Sequence, residues 1–495
     1  MPFLLNQDFI DFAVGRPVEK LTREELLKQI DLFEINGDCT VLLNPNGQKA
    51  GYESEVLETL WNGVEFKEDG KVYYRGKELT GHFKAIPEKM KALYDNVNDL
   101  YEVRLAYGRK KGYKMFLSMR MNDIHWICDF DNVLVSDFWR EHQDCLITDF
   151  NPEASWWFGC LDYAKKEVYD RHLALVKEYL TKFDPDGLEL DWMRSPYYFK
   201  PGWEEQNAEI LTQFMREARK LAEECAVRNG HPVELIVRLP ARPDDACRMG
   251  FGFHTWAEEK LIDRIVTTSY WGVTDFDIPL EIWRMAVDGK VKITAGLELY
   301  SRCSPFQKLD YRNDAATVFG FASSFYYRGS DDIYLFNYMD DTGMATGMTN
   351  LEELRLVLAN IGNRENVERQ ARRHLVTYTD LKARAIGCMT PGILPLELNE
   401  GYKFIRLNLG GKVKNRNARL VIACDNGLPA EVYCGGVLCE KTDECFTKQM
   451  SSSIKDPVVY RIPDEGLKDG DNILCFRGTG EKNNLYWCEI DLEEA

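Results

Sequence analysis

The sequence predicts an α/β chain: a (β/α)8 TIM barrel followed by a C-terminal all-β sandwich. Three observations predict it. Through the first ~360 residues, short runs rich in β-branched and aromatic residues alternate with amphipathic runs of helical period. Eight such pairs can be counted, the number that closes a barrel. Past Asn360 the pattern changes to short alternating runs separated by Gly and Asn turns, the mark of a sandwich. A doubly wound open sheet shows the same alternation, but no G-x-G-x-x-G or P-loop run follows any strand.

The predicted strands cover 9–14, 40–44, 114–120, 187–192, 234–239, 264–270, 291–299 and 333–337. The predicted helices cover 22–33, 88–111, 165–183, 204–229, 255–261, 279–287, 314–327 and 351–360; the first opens on Thr22-Arg-Glu-Glu25, a capping box. Two connections are unusually long, 45–87 after the second strand and 121–163 after the third. In a barrel such loops stand on the C-terminal face, where they build lids and cleft walls. The catalytic barrel is expected over 1–365, a linking helix over 366–386, and the sandwich over 387–495 with strands at 419–424, 431–433, 458–462 and 472–477.

The 495 residues carry a net charge of −18, which opposes binding to nucleic acid or an anionic membrane. The N-terminus has no basic, apolar and small-residue succession of a signal peptide. Fourteen scattered cysteines without paired spacing then read as free thiols in a reducing cytoplasm. Seven histidines with no H-E-x-x-H give no metal-ligand spacing, and no cofactor is expected. There is no G-x-S-x-G elbow for a serine nucleophile.

The sharpest motif is Asp186-Gly-Leu-Glu-Leu-Asp-Trp-Met-Arg194 at the fourth strand. Side chains alternate along a strand, so Glu189 and Asp191 point into the barrel while Leu188 and Leu190 face the helices. Two buried acids on one strand require partners. They serve either catalysis or a salt-bridged core with Arg120, Arg194 or Arg238. On the seventh strand Thr294, Gly296, Glu298 and Tyr300 share a face, which sets Glu298 at the mouth opposite Asp191. Acids on facing strand ends can flank a glycosidic bond, at about 5–5.5 Å for retention or 6.5–9.5 Å for inversion.

The third strand ends in Ser118-Met-Arg-Met-Asn-Asp-Ile-His125. Asn122, Asp123 and His125 can each hydrogen-bond a sugar hydroxyl. Asn44, Arg120, Trp192, Arg194, Tyr300 and Asn337 complete the expected binding set, with Arg238 as the charge partner of the acids. Tyr270 and Trp271 are expected to stack on a sugar face. The chain holds 25 Phe, 24 Tyr and 11 Trp, and many fall in the long loops or after strand ends, among them Trp126, Phe130, Trp139, Trp157, Tyr197, Tyr198 and Phe199.

The runs Phe116–His125, Leu161-Asp-Tyr163, Asp186–Arg194 and Tyr334-Leu-Phe-Asn-Tyr338 resemble the bacterial glycosyl-hydrolase-like barrel proteins across most of the barrel region. That resemblance implies a carbohydrate-active (β/α)8 fold. The strand-four run is also similar to the D-G-x-D-x-D-x-E pattern of chitinase-like barrels, but Met193 occupies the position of the acid. Retaining barrel glycosidases place acids on strands four and seven; Asp191 and Glu298 fit those strands, although the Asn-Glu pair usual on strand four is absent.

The expectation is a glycoside hydrolase acting on a small neutral glycoside or oligosaccharide. Asp191 and Glu298 form its catalytic pair and Glu189 tunes them. A non-hydrolytic sugar-binding barrel, or another carbohydrate enzyme such as a lyase, isomerase or transglycosylase, is the alternative. A homo-oligomer is compatible with the sequence.

Overall fold

The computed structural model describes residues 3–31, 38–98, 100–149, 156–269, 273–304, 311–338, 351–378 and 392–494. Eight parallel strands close a barrel: β1 (Phe3–Gln7), β2 (Cys39–Leu43), β3 (Lys114–Arg120), β4 (Gly187–Asp191), β5 (Glu234–Pro240), β6 (Arg264–Thr268), β7 (Lys292–Leu297) and β8 (Asp332–Leu335). β1 pairs with β2 on one side and β8 on the other, which completes the ring. Such strands are buried on both faces, and β2 and β4 are buried at every residue.

Seven of the eight strands lie where the sequence places them, within a few residues. The first is a correction: 9–14 is not a strand, because β1 is Phe3–Gln7 and Asp11–Val14 is a short helix. Phe3-Leu-Leu-Asn-Gln7 is buried throughout, so it lacks the alternation that marks a half-buried strand. The helix expected over 88–111 is two, Gly81–Val97 and Leu100–Lys110, and the first ends against Asn98 in the left-handed region at φ 58°.

Register explains what meets at the mouth. Arg120 on β3 pairs with Asp191 on β4, and Asp191 pairs with Arg238 on β5. One row below, Ser118, Glu189 and Ile236 are neighbours. Leu4, Leu42, Phe116, Ile236, Val266, Tyr334 and Phe336 form an apolar cluster of their own. The long connection after β2 carries a small antiparallel sheet, Val64–Phe66, Val72–Tyr74 and Lys77–Glu78. The one after β3 carries the helix Asp137–Glu141, capped by Ser136.

The linking helix expected over 366–386 is also corrected. The helix there is Arg364–Arg369, and Arg372–Leu375 is a strand. That strand pairs with Asn484–Leu492, so it joins the C-terminal sheet. Residues 379–391 lie outside the described residues. Two antiparallel sheets form the sandwich. One runs Arg372–Leu375, Asn484–Leu492, Ala418–Cys424, Val458–Arg461 and Glu440–Lys441, with Leu396–Glu397 beside Asn484–Leu492. The other runs Tyr402–Asn408, Asp471–Arg477, Glu431–Cys434 and Val437–Leu438.

The sandwich is cemented to the barrel. The barrel helix Ala315–Tyr327 lies against Arg372–Leu375, and a Cβ at Gly320 would collide with the backbone of Arg373. The fully buried Arg373 guanidinium donates to Asp314 at 2.7 Å and Tyr311 at 2.8 Å on the barrel side, and to Glu489 at 2.8 Å in the sandwich. Among the described residues no helix is long and apolar enough to cross a membrane.

Candidate active site

The acids of β4 and β7 meet through one arginine. Arg238 Nη1 donates to Asp191 Oδ1 at 3.2 Å and Oδ2 at 3.3 Å, and Nη2 donates to Glu298 Oε1 at 2.6 Å. All three side chains are buried. The guanidinium also lies 3.7 Å from the centroid of Phe336. The backbone N–H of Met193 donates to Asp191 Oδ1 at 2.9 Å, which fixes the carboxylate at the end of its strand. The pairing follows from the register, since Asp191 and Arg238 are cross-strand neighbours on the inner face.

Glu189 is treated differently. Its Oε1 accepts from Ser118 Oγ at 2.6 Å and from the Tyr334 hydroxyl at 2.9 Å, while its Oε2 has no partner among the described residues. Burial, reinforced by the charge of Asp191, pushes its carboxyl up to about 8, against the opposing pull of Ser118, Arg238 and Tyr334. At neutral pH the Glu189 carboxyl therefore holds its proton.

Beside these acids, at the C-terminal ends of β1 to β4, opens a pocket of about 150 Å³. Asp8, Phe9, Arg120, Asp123, His125 and Trp126 line it, with Arg194 also on its wall. Arg120 Nη1 donates to Asp123 Oδ2 at 3.0 Å, and its Nη2 donates to Asp8. Burial opposes ionisation of Asp123, but His125, Arg120 and Arg194 outweigh it and hold the carboxyl well below the usual range. His125 Nδ1 lies 2.7 Å from Asp123 Oδ1, and its Nε2 lies 3.3 Å from Arg194 Nη2. Arginine can only donate, so Nε2 is the accepting nitrogen of that contact, and Nδ1 is the nitrogen turned toward Asp123. Trp126 stands on the rim, 51% exposed, its ring edge-on to Phe83 at 4.8 Å.

Asp8 and Phe9 are lining residues that the sequence does not single out. Asp8 follows β1 directly, and a first strand placed at 9–14 puts it on the wrong side of the barrel. The signal was the buried run Phe3–Gln7 ending at an acid.

Several expected sugar-binding residues have other work. Asn122 donates from Nδ2 to the carbonyls of Leu161 at 3.1 Å and Tyr197 at 2.9 Å and accepts from the Leu161 N–H at 3.2 Å, so it clamps two loops together. Trp192 is wholly buried among Tyr163, Tyr198, Phe214, Phe251 and Trp256 and is a core residue, not a stacking platform. Trp139, Trp157, Tyr197, Tyr198 and Phe199 are buried too, whereas Phe130 is exposed. Tyr300 is half-buried on a two-residue strand beside Tyr311–Arg312, and its hydroxyl accepts from Arg312 Nε at 3.1 Å. Tyr270 and Trp271 lie outside the described residues.

Asn44 and Asn337 stand just past the ends of β2 and β8, on either side of β1. Asn44 donates to the Ser118 carbonyl at 2.7 Å, and Asn337 holds a left-handed backbone at φ 57°. Both are buried, and the Oδ1 of each has no partner among the described residues. Buried acceptors without donors suit a ligand that brings hydroxyl groups.

Fold and site together define a (β/α)8 barrel protein with an acid-lined C-terminal mouth. No protein-family model and no curated protein sequence matches the chain. Among solved structures it is similar to a cycloisomaltooligosaccharide glucanotransferase from Paenibacillus sp. (TM-score 0.35, 10% identity, 98% of this chain and 57% of that one). It is also similar to α-L-fucosidase isoenzyme 2 from Paenibacillus thiaminolyticus (0.39, 10%, 71% and 48%). A third is a maltogenic α-amylase from Thermotoga neapolitana (0.39, 12%, 96% and 98%). The chain spans about half the length of the first two.

Proposed function

We propose that this protein is a glycoside hydrolase that works at the C-terminal mouth of its barrel on a neutral glycoside or oligosaccharide. The observation that carries the reading is the gathering of Asp191 and Glu298, from non-adjacent strands, on the single guanidinium of Arg238. Of the two acids that flank the scissile bond, one protonates the leaving oxygen and the other acts as nucleophile or base, while Arg238 and Glu189 tune their charge. The unpaired Oδ1 atoms of Asn44 and Asn337 accept sugar hydroxyls, and the pocket of Arg120, Asp123, His125 and Trp126 receives the adjoining part of the substrate.

The test is turnover of a panel of nitrophenyl glycosides and unbranched oligosaccharides by the wild-type chain, Asp191→Asn and Glu298→Gln. Loss of a general acid or base lowers the rate by about 10²–10⁴-fold. Full activity in both variants overturns the assignment. A second reading, sugar binding without cleavage, draws on the same ion pair, because both acids are occupied by Arg238. Saturable binding with no product from any substrate favours it.

A further inference from the structure

The four-stranded sheet of the sandwich turns one face outward, and that face is aromatic and apolar. Along Tyr402–Asn408 the side chains of Tyr402, Phe404 and Arg406 point out while Ile405 and Leu407 point into the core. The same alternation sets Ile473, Cys475 and Arg477 outward on Asp471–Arg477, and Glu431 and Tyr433 outward on Glu431–Cys434. Phe404 is 62% exposed, Tyr402 55%, Leu438 51% and Ile473 41%. Exposure of this kind, clustered on one sheet face, marks a binding surface more often than scattered apolar residues do.

The register lines the groups up. Phe404 is opposite Cys475, Cys475 opposite Tyr433, and Tyr433 opposite Leu438, so the four form one row across the sheet. Phe404 and Tyr433 are two strands apart, which at the usual strand spacing is about 9.6 Å. Two rings at that separation on a pleated surface fit the apolar faces of alternate sugars in an extended β-linked chain.

The charges on the face are already matched. Arg477 pairs with Glu431 at 2.7 Å, and Arg406 with Asp277 at 2.9 Å and with outward-facing Asp471 at 3.9 Å. A surface whose charges are already paired suits a neutral, polyhydroxylated ligand. It is a poor match for a second copy of a chain that carries −18. Asp277 belongs to the loop after β6, on the mouth side of the barrel, so the edge of the face is anchored to the rim of the candidate active site.

We infer that the outer face of Tyr402–Asn408, Asp471–Arg477 and Glu431–Cys434 is a binding platform for an extended neutral polysaccharide, with Phe404 and Tyr433 as its stacking rings and Tyr402 at its border. The platform does not depend on turnover at the mouth.

Native-gel electrophoresis of the full chain in gels containing xylan, glucomannan, hydroxyethylcellulose or pullulan tests this, with calorimetry on the hexaose of whichever polymer retards it. Retardation by at least one β-linked polymer is expected. Phe404→Ala and Tyr433→Ala should each weaken hexaose binding by tenfold or more, and the double variant should abolish it. Asp191→Asn with Glu298→Gln should leave it unchanged, which separates the platform from the proposed catalytic site. Unaltered circular dichroism and melting of Phe404→Ala, whose ring is exposed, establishes that its fold is intact. Absence of retardation by the three β-linked polymers overturns the proposal, whatever pullulan does, and so does retardation that survives the double variant. Sedimentation showing a wild-type dimer that the double variant dissolves also overturns it, by assigning the face to self-association.

Discussion

Glu189 and Asp191 stand two residues apart on the inner face of β4, yet only Asp191 is grasped by a guanidinium. Glu189, one row deeper, meets the hydroxyls of Ser118 and Tyr334 instead. The same strand therefore presents an ion-paired carboxylate at the mouth and a proton-bearing carboxyl beneath it.

That difference makes stability depend on pH. The Glu189 carboxyl is raised to about 8 in the folded chain, so between its ordinary value and about 8 the folded state binds the proton that the unfolded state has lost. Its contribution is complete below the ordinary glutamate range and is lost as pH rises through about 8, at a rate of at most about 1.4 kcal/mol per pH unit. Glu189→Gln should flatten the fall in the urea midpoint between pH 5 and pH 8 relative to wild type. Parallel pH profiles would show that Glu189 is ionised in the folded chain.

Arg238 is expected to be irreplaceable by itself. Arg238→Met leaves Asp191 and Glu298 buried without their shared cation, which costs about 3–5 kcal/mol. Combining it with Asp191→Asn and Glu298→Gln removes the stranded charges and should restore much of the loss. Urea denaturation of the single and triple variants measures both steps.

Asn122 should behave as a brace. Asn122→Ala removes three hydrogen bonds to Leu161 and Tyr197, at a cost of about 2–3 kcal/mol. In the folded fraction, the affinity for a sugar ligand should be unchanged. A specific loss of affinity at unaltered melting temperature would return Asn122 to the binding set.

Trp126 should report occupancy of the mouth pocket. Its ring is half exposed on the rim, so a sugar in the pocket changes its fluorescence, and Trp126→Ala should weaken binding about 5–10-fold. Fluorescence titration of both proteins provides the check, and equal affinities would remove the ring from the site.

The inner face of the barrel was legible in the sequence because strand alternation is geometric. Glu189, Asp191, Arg120, Arg238 and Glu298 are all where parity puts them. Aromatic side chains were not legible in the same way. Trp192 follows Asp191 directly, and position along the chain does not separate a ring turned into a cleft from one turned into the aromatic cluster behind the strand. Asn122 is ambiguous for a related reason: a side chain able to bind a sugar is equally able to bind two carbonyls, and only the loop paths decide. β1 was displaced because complete burial erases alternation, and Asp8 went with it.

At Gly320 the absence of a side chain lets the barrel helix touch the strand at Arg373 backbone to backbone. The seam between the two halves is thus welded, not hinged. Heat or urea should take barrel and sandwich apart in a single cooperative transition, and a cut between them should yield two pieces that each expose a raw core surface.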